Sequence, residues 1–250
     1  GGPNAYNNED LLYKLFGINA ELLIDHAWGW EPCTMADIKA YKPSANSVSS
    51  GQVLQYPYTF DKAKLIVREM TDLLVLDLVA KALVTDQMVL TIGYDIENLT
   101  NPEISKSYQG EVTTDYYGRK TPKHAHGTVN LGRQTSSTML ILSALFDLFD
   151  RIVDKNLLVR RVNITANHVV DENSLVKQPT IEQLDLFTDY DEVQKKSAEQ
   201  EATLEREKKV QEAVIKIKNK FGKNAVLKGM NLEEGATTVD RNHQIGGHKA

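Results

Sequence analysis

The chain has 250 residues, 41% of them hydrophobic and 25% charged, which is enough apolar material for a buried core. Its net charge of −5 excludes a generally basic nucleic-acid coat but leaves room for a local binding face. Cys33 is the one cysteine and no apolar run reaches 18 residues, so neither an intrachain disulfide nor a membrane span is expected, and a cytoplasmic setting fits.

Residues 8–30 read as two short helices, with Leu11, Leu12, Leu15 and Phe16 spaced for one face and Gly17 as the break. Residues 31–44 form a connector punctuated by Pro32 and Pro43. "NSVSSGQVLQYPY" (46–58) reads as an edge-like strand. Thr59 then opens a long helix with Ala63, Val67, Met70, Leu74, Leu78 and Ala82 at helical spacing. Residues 87–96 alternate strictly, with Met88, Leu90, Ile92, Tyr94 and Ile96 on one side, as in a half-buried strand. Residues 97–123 are loop-like, and "DYYGRK" has the composition of a hairpin tip. A third strand is expected over 125–133. Ser136 or Ser137 caps a second helix whose apolar face carries Met139, Leu142, Leu145, Phe146, Phe149 and Val153. The last strand spans 157–170, with Val162, Ile164 and Ala166 facing in. The fold class is therefore α+β: a four-stranded sheet of β-α-β-β-α-β order with both helices on one face.

Residues 189–221 hold 8 acids and 8 bases, with Glu192/Lys196, Glu205/Lys209 and Glu212/Lys216 in the favoured i, i+4 order. Val210, Ala213, Val214, Ile217 and Phe221 form one stripe, and Gly222 is the expected stop. That stripe is expected to pack on the chain's own body; docking on a partner protein is the alternative. The expected divisions are 1–43, 44–175, 176–188, 189–222 and a flexible tail, 223–250.

Strand parity defines the uncovered sheet face. Its expected residues are Ser47, Ser49, Gln52, Thr91, His126, Thr128, Asn130, Arg161, Asn163, Thr165 and Asn167, with Arg133 at a strand end. A plain solvated face carries Glu and Lys in mixture. This one is poor in acids and rich in small hydrogen-bonding groups, the types that contact phosphate and sugar. It has no aromatic platform for base stacking. His124 and His126 sit two apart on one strand with no third ligand nearby, so they read as polar sheet residues rather than a metal site. "NLGRQTSS" has no phosphate-loop spacing. No catalytic residue and no cofactor are assigned.

"NSVSSGQVL", "HAHGTVNLGR" and "LLVRRVNIT", set in that element order, resemble the C-terminal part of a Y-family translesion DNA polymerase of the UmuC/ImpB/MucB type found in Gram-positive bacteria. The resemblance covers the end of the thumb (1–43), the little finger domain (44–175) and the tail that follows. It implies a sheet face laid on primer–template DNA and a palm, with its magnesium-binding carboxylates, outside this chain. Asn46 stands where lysine is common in the family, which weakens a charged phosphate contact there. By composition, "QLDLF" is either the first turn of the next helix or a peptide for another protein's pocket. The resemblance implies the second: Gln183, Leu184, Asp185, Leu186 and Phe187 match the pentapeptide that binds the bacterial sliding clamp.

Overall fold

The computed structural model describes residues 6–17, 20–31, 33–40, 46–114, 118–175, 190–245 and 248–249. Two compact units divide at residues 45 and 46. In the first, α1 (Tyr6–Phe16), α2 (Ala20–Ala27) and α3 (Met35–Ala40) are short. Gly17 adopts φ +57°, the left-handed conformation that ends a helix without a Cβ penalty. Thr34 opens α3 by a reciprocal cap: its Oγ1 accepts from the Asp37 amide at 3.2 Å, and Asp37 accepts from the Thr34 amide at 2.9 Å. Ala20 is buried, whereas Trp28, Trp30 and Met35 are exposed.

The second unit is built on β1 (Val48–Tyr58), α4 (Phe60–Ala80), β2 (Leu83–Tyr94), α5 (Glu97–Thr100), α6 (Pro102–Ser105), β3 (Val112–Thr114), β4 (Lys120–Pro122), β5 (Ala125–Thr135), α7 (Thr138–Ile152), β6 (Val159–Asn167) and β7 (Val170–Asp171). The main sheet has the order β1-β6-β2-β5, with every pair antiparallel, and β7 extends the start of β2. Two split β-α-β units thus interleave: β6 lies between β1 and β2, and β2 lies between β5 and β6.

Period-2 alternation in the strands and period-3.6 spacing in the helices bring the apolar sides together. Met88, Leu90 and Ile92 of β2 and Val162, Ile164 and Ala166 of β6 meet Ile66, Val67, Met70, Leu74 and Leu78 of α4 and Ile141, Leu145, Leu148 and Phe149 of α7. Phe60 packs its ring 4.8 Å from that of Phe149. Ser137 caps α7, accepting from the Leu140 amide at 3.2 Å; Thr59 precedes α4 without a side-chain cap bond. Both helices cover one face, as the sequence pattern predicts. None of the described helices is long and apolar enough to cross a membrane.

Several boundaries differ from the sequence reading. β2 starts at Leu83 because Leu83 and Val84 pair with Asp171 and Val170, partners too distant in sequence for periodicity to reveal. Ile96 leaves the strand and opens α5, and Asn98, fully buried, bonds the Leu158 backbone through both ends of its amide. The 97–123 segment carries two short helices and the β3–β4 hairpin, whose arms join through Gly118 at φ +77°. Met139, expected on the apolar face of α7, is exposed.

The charged helix, α8 (Tyr190–Phe221), docks by a mostly polar face that shares only the half-buried Val214 with the expected apolar stripe. Glu207 bonds Ser137 Oγ and the Met139 amide, Lys208 bonds Glu172, and Gln211, 6% exposed, donates to the Ser136 carbonyl and Thr138. These polar groups at the start of α7 must find partners once covered, and they fix the helix's rotation. Val210, Ile217 and Phe221 of the expected packing stripe are consequently exposed.

After Gly222 (φ +100°), residues 223–245 fold back as a strap over α4 and β1, with a 3-10 turn at Gly229–Leu232 and α9 at Thr238–Asn242. The buried Glu69 carboxylate on α4 accepts from Asn231 Nδ2 at 2.7 Å, the Thr237 amide at 2.7 Å and the Thr238 amide at 3.3 Å. Lys228 pairs with Asp72, and Tyr58 donates to the Gly235 carbonyl at 3.0 Å. Burial lowers the Arg241 guanidinium from its ordinary value, and the nearby Glu69 charge opposes that shift. The strap is thus held by buried polar partners, which polar composition alone does not reveal.

Candidate nucleic-acid interface

The sheet face away from α4 and α7 is organised in rows that the strand register sets. One row runs Ser49–Thr165–Val89–Thr128, and the next Gly51–Asn163–Thr91–His126. A third aligns Asn167, Gln87 and Asn130, and a fourth Val53, Arg161 and Gly93. Cross-strand hydrogen bonds tie the rows. Ser49 Oγ lies 2.8 Å from Thr165 Oγ1, and Thr91 Oγ1 lies 2.9 Å from His126 Nδ1. Gln87 bridges Asn130 at 2.9 Å and Asn167 at 3.0 Å. The Thr91 bond gives His126 a role as a polar sheet residue. Among the described residues no group of three or more His, Cys, Asp or Glu side chains is placed to hold a metal.

Arg161 is the one charged residue in these rows. Its stem crosses Gly93, where an added Cβ would come 3.1 Å from Arg161 Cβ, so glycine there lets the arginine lie flat along the strand. Asn163 Oδ1 is buried without a hydrogen-bond partner among the described residues.

The structure brings together Ser49, Thr91, His126, Thr128, Asn130, Arg161, Asn163, Thr165 and Asn167 as the alternation predicts. Ser47 precedes β1 and is exposed. Two residues fall elsewhere. Gln52 has the parity of Leu54 and points to the covered side, bonding Thr237 at 2.9 Å and Arg241 at 3.0 Å. Its place on the face is taken by Val53, 60% exposed. The strand is so poor in large apolar residues that its parity is weakly written in the sequence. Arg133 lies beyond Gly132, whose φ of +73° breaks the alternation, and pairs with Glu201 of α8 at 2.6 Å. Its charge is thereby partly neutralised. Gln87 is a face residue that the sequence reading missed, although its position one residue before Met88 marks it. The 183–187 segment lies outside the described residues.

Residues 45–186 match the impB/mucB/samB family C-terminal domain. The match takes in more than half of the chain, and the chain belongs to this family. No curated protein matches it. Among solved structures it is similar to a complex of the beta-clamp processivity factor and the little finger domain of PolIV, with a TM-score of 0.32 and 10% identity over 57% of this chain and 99% of that one. It is also similar to a post-insertion binary complex of Dbh DNA polymerase (TM-score 0.31, 10% identity, 65% of this chain and 39% of that one). A third is the Y-family polymerase chimera Dbh-Dpo4(243-245)-Dbh (TM-score 0.34, 14% identity, 65% and 38%). The chain spans about two-fifths of the length of those two polymerase chains. The family assignment rests on the domain match.

Proposed function

We propose that this chain is the DNA-binding and clamp-tethering C-terminal part of a Y-family translesion polymerase, gripping primer–template DNA with the open sheet face. The observation that carries the reading is the face itself: ordered rows of hydroxyl and amide side chains, no carboxylate, and one guanidinium. Such a surface suits sugar–phosphate contacts that carry no sequence information. Binding is weak, because residues 46–170 hold 13 Lys/Arg and 13 Asp/Glu and offer no net charge to drive it. Few phosphates are neutralised, so the salt dependence is shallow, about −0.9 in log–log slope per phosphate contact. Nucleotidyl transfer requires a carboxylate-held metal pair that this reading assigns to a separate palm.

The clamp part of the proposal rests on the sequence of 183–187. Leu184, Leu186 and Phe187 are the apolar anchors; each buried side chain contributes about 1.5–3 kcal/mol before the cost of ordering the peptide. Micromolar affinity, about −8 kcal/mol, is expected. Two titrations of the full chain test the proposal. Arg161→Ala weakens binding to a fluorescent primer–template duplex and leaves clamp binding unchanged. Leu186→Ala with Phe187→Ala removes most clamp binding and leaves DNA binding unchanged. Salt-independent or absent DNA binding by the wild type would instead favour a module that contacts only proteins.

A further inference from the structure

The β3–β4 hairpin stands beside the open face and encloses a cleft of about 950 Å³ against it. Thr113 and Thr121, a cross-strand pair of the hairpin, form one wall. Thr91, Gly93 and Arg161 of the sheet form the floor. We infer that this cleft holds the sugar–phosphate backbone of a single DNA strand, so that the hairpin acts as a gripping arm and not as a surface loop. The inference rests on the proposed DNA reading and goes beyond the flat face.

Three features fix the class of ligand. The first is size. Clefts of about 300–1,000 Å³ take a ligand of drug-like dimensions, which corresponds to a few linked nucleotides and excludes a whole duplex. The second is charge. Arg119, Arg160 and Arg161 line the cleft against Asp95 and Glu97, a positive balance in a chain whose net charge is −5. Asp95 and Arg160 offset each other at 3.6 Å, and Asp95 also accepts from the Glu97 amide at 2.8 Å, so the surplus comes from Arg119 and Arg161 against Glu97. The third is the lining itself. Threonines line both the hairpin wall (Thr113, Thr121) and the floor (Thr91), and Gly93 lets the Arg161 stem lie along that floor.

The test uses the full chain and a fluorescent primer–template duplex with a single-stranded overhang. Thr121→Glu sets a carboxylate on the cleft wall, Thr121→Lys an ammonium at the same place, and Val112→Glu the same carboxylate on an exposed hairpin residue outside the cleft lining. The expected result is about a fivefold loss of affinity for Thr121→Glu, a gain for Thr121→Lys, and no change for Val112→Glu, as befits a local phosphate contact. Opposite effects of the two Thr121 variants cannot arise from misfolding, and circular dichroism verifies that all three fold. Equal affinity for the Thr121 variants, with Arg161→Ala still weakening binding, overturns the arm and leaves the sheet face standing. If Arg161→Ala is also without effect, the arm and the face reading fail together.

Discussion

Removing the Glu69 carboxylate should release the strap. Glu69 is 1% exposed and receives four strap donors: Asn231 Nδ2 at 2.7 Å, the Thr237 amide at 2.7 Å, the Thr238 amide at 3.3 Å and Thr237 Oγ1 at 3.4 Å. In Glu69→Ala these donors lose their acceptor. Hydrogen bonds to a charged group contribute about 1.5–3 kcal/mol each at good geometry, so two short ones and two long, weaker ones sum to several kcal/mol. Relief of the desolvation that the buried carboxylate suffers offsets part of this. The remaining attachments are more exposed. Lys62 meets Glu234 at 2.6 Å at the surface, a kind of pair worth about 0–1 kcal/mol. Net loss of strap docking is therefore about 2–4 kcal/mol. Because the strap can open without the sheet unfolding, the loss appears as local opening. The assay is native-state amide hydrogen exchange at Thr237 and Thr238, where exchange should quicken by roughly 30- to 700-fold at about 1.4 kcal/mol per tenfold. Unchanged protection of both amides in the variant would refute the claim that Glu69 holds the strap.

Gly127→Ala should destabilise the sheet domain, since the new Cβ would lie 2.8 Å from Leu148 Cδ1 and 3.2 Å from Ile152 Cδ1. Forcing α7 away costs about 1–3 kcal/mol, read as a lower thermal midpoint, and an unchanged midpoint would mean the helix yields freely. Alkali should destabilise the second unit. Burial raises the Tyr58 and Tyr94 phenols above their ordinary value, so above pH 10 the unfolded chain releases protons that the folded one retains. That stability is complete below the unfolded pKa of 10 and falls as pH climbs towards the folded values. Tyr58→Phe, which also loses the bond to the Gly235 carbonyl, should reduce the slope of stability against pH in urea titrations between pH 10 and 12.

The central strands and the two core helices were legible because each carries a strong period. Met88, Leu90 and Ile92 fix β2, and Val162, Ile164 and Ala166 fix β6, so Thr91, Asn163 and Thr165 fall on the open face by parity alone. β1 lacks that signal. Its covered positions include Ser50 and Gln52, and its open face includes Val53, so polarity misstates the parity around residue 52. The rotation of α8 was hidden for a related reason. Its docking face is chosen by Ser136, Ser137, Thr138 and Glu172, polar partners with no hydrophobic periodicity. The strap lies further from reach, since Glu69 and Thr237 are 168 residues apart. The hairpin wall of the cleft rests on strands of three residues each, too short for alternation to declare.

The central claim is that the open sheet face meets DNA, and nuclear magnetic resonance titration of the labelled chain with a primer–template duplex tests it most directly. The account predicts that amide shifts at low salt concentrate on Ser49, Thr91, His126, Thr128, Arg161 and Thr165, fade as salt is raised, and spare α4 and α7. Shifts confined to the helical face or to the exposed stripe of Val210, Ile217 and Phe221, with the six face amides unmoved, would contradict it.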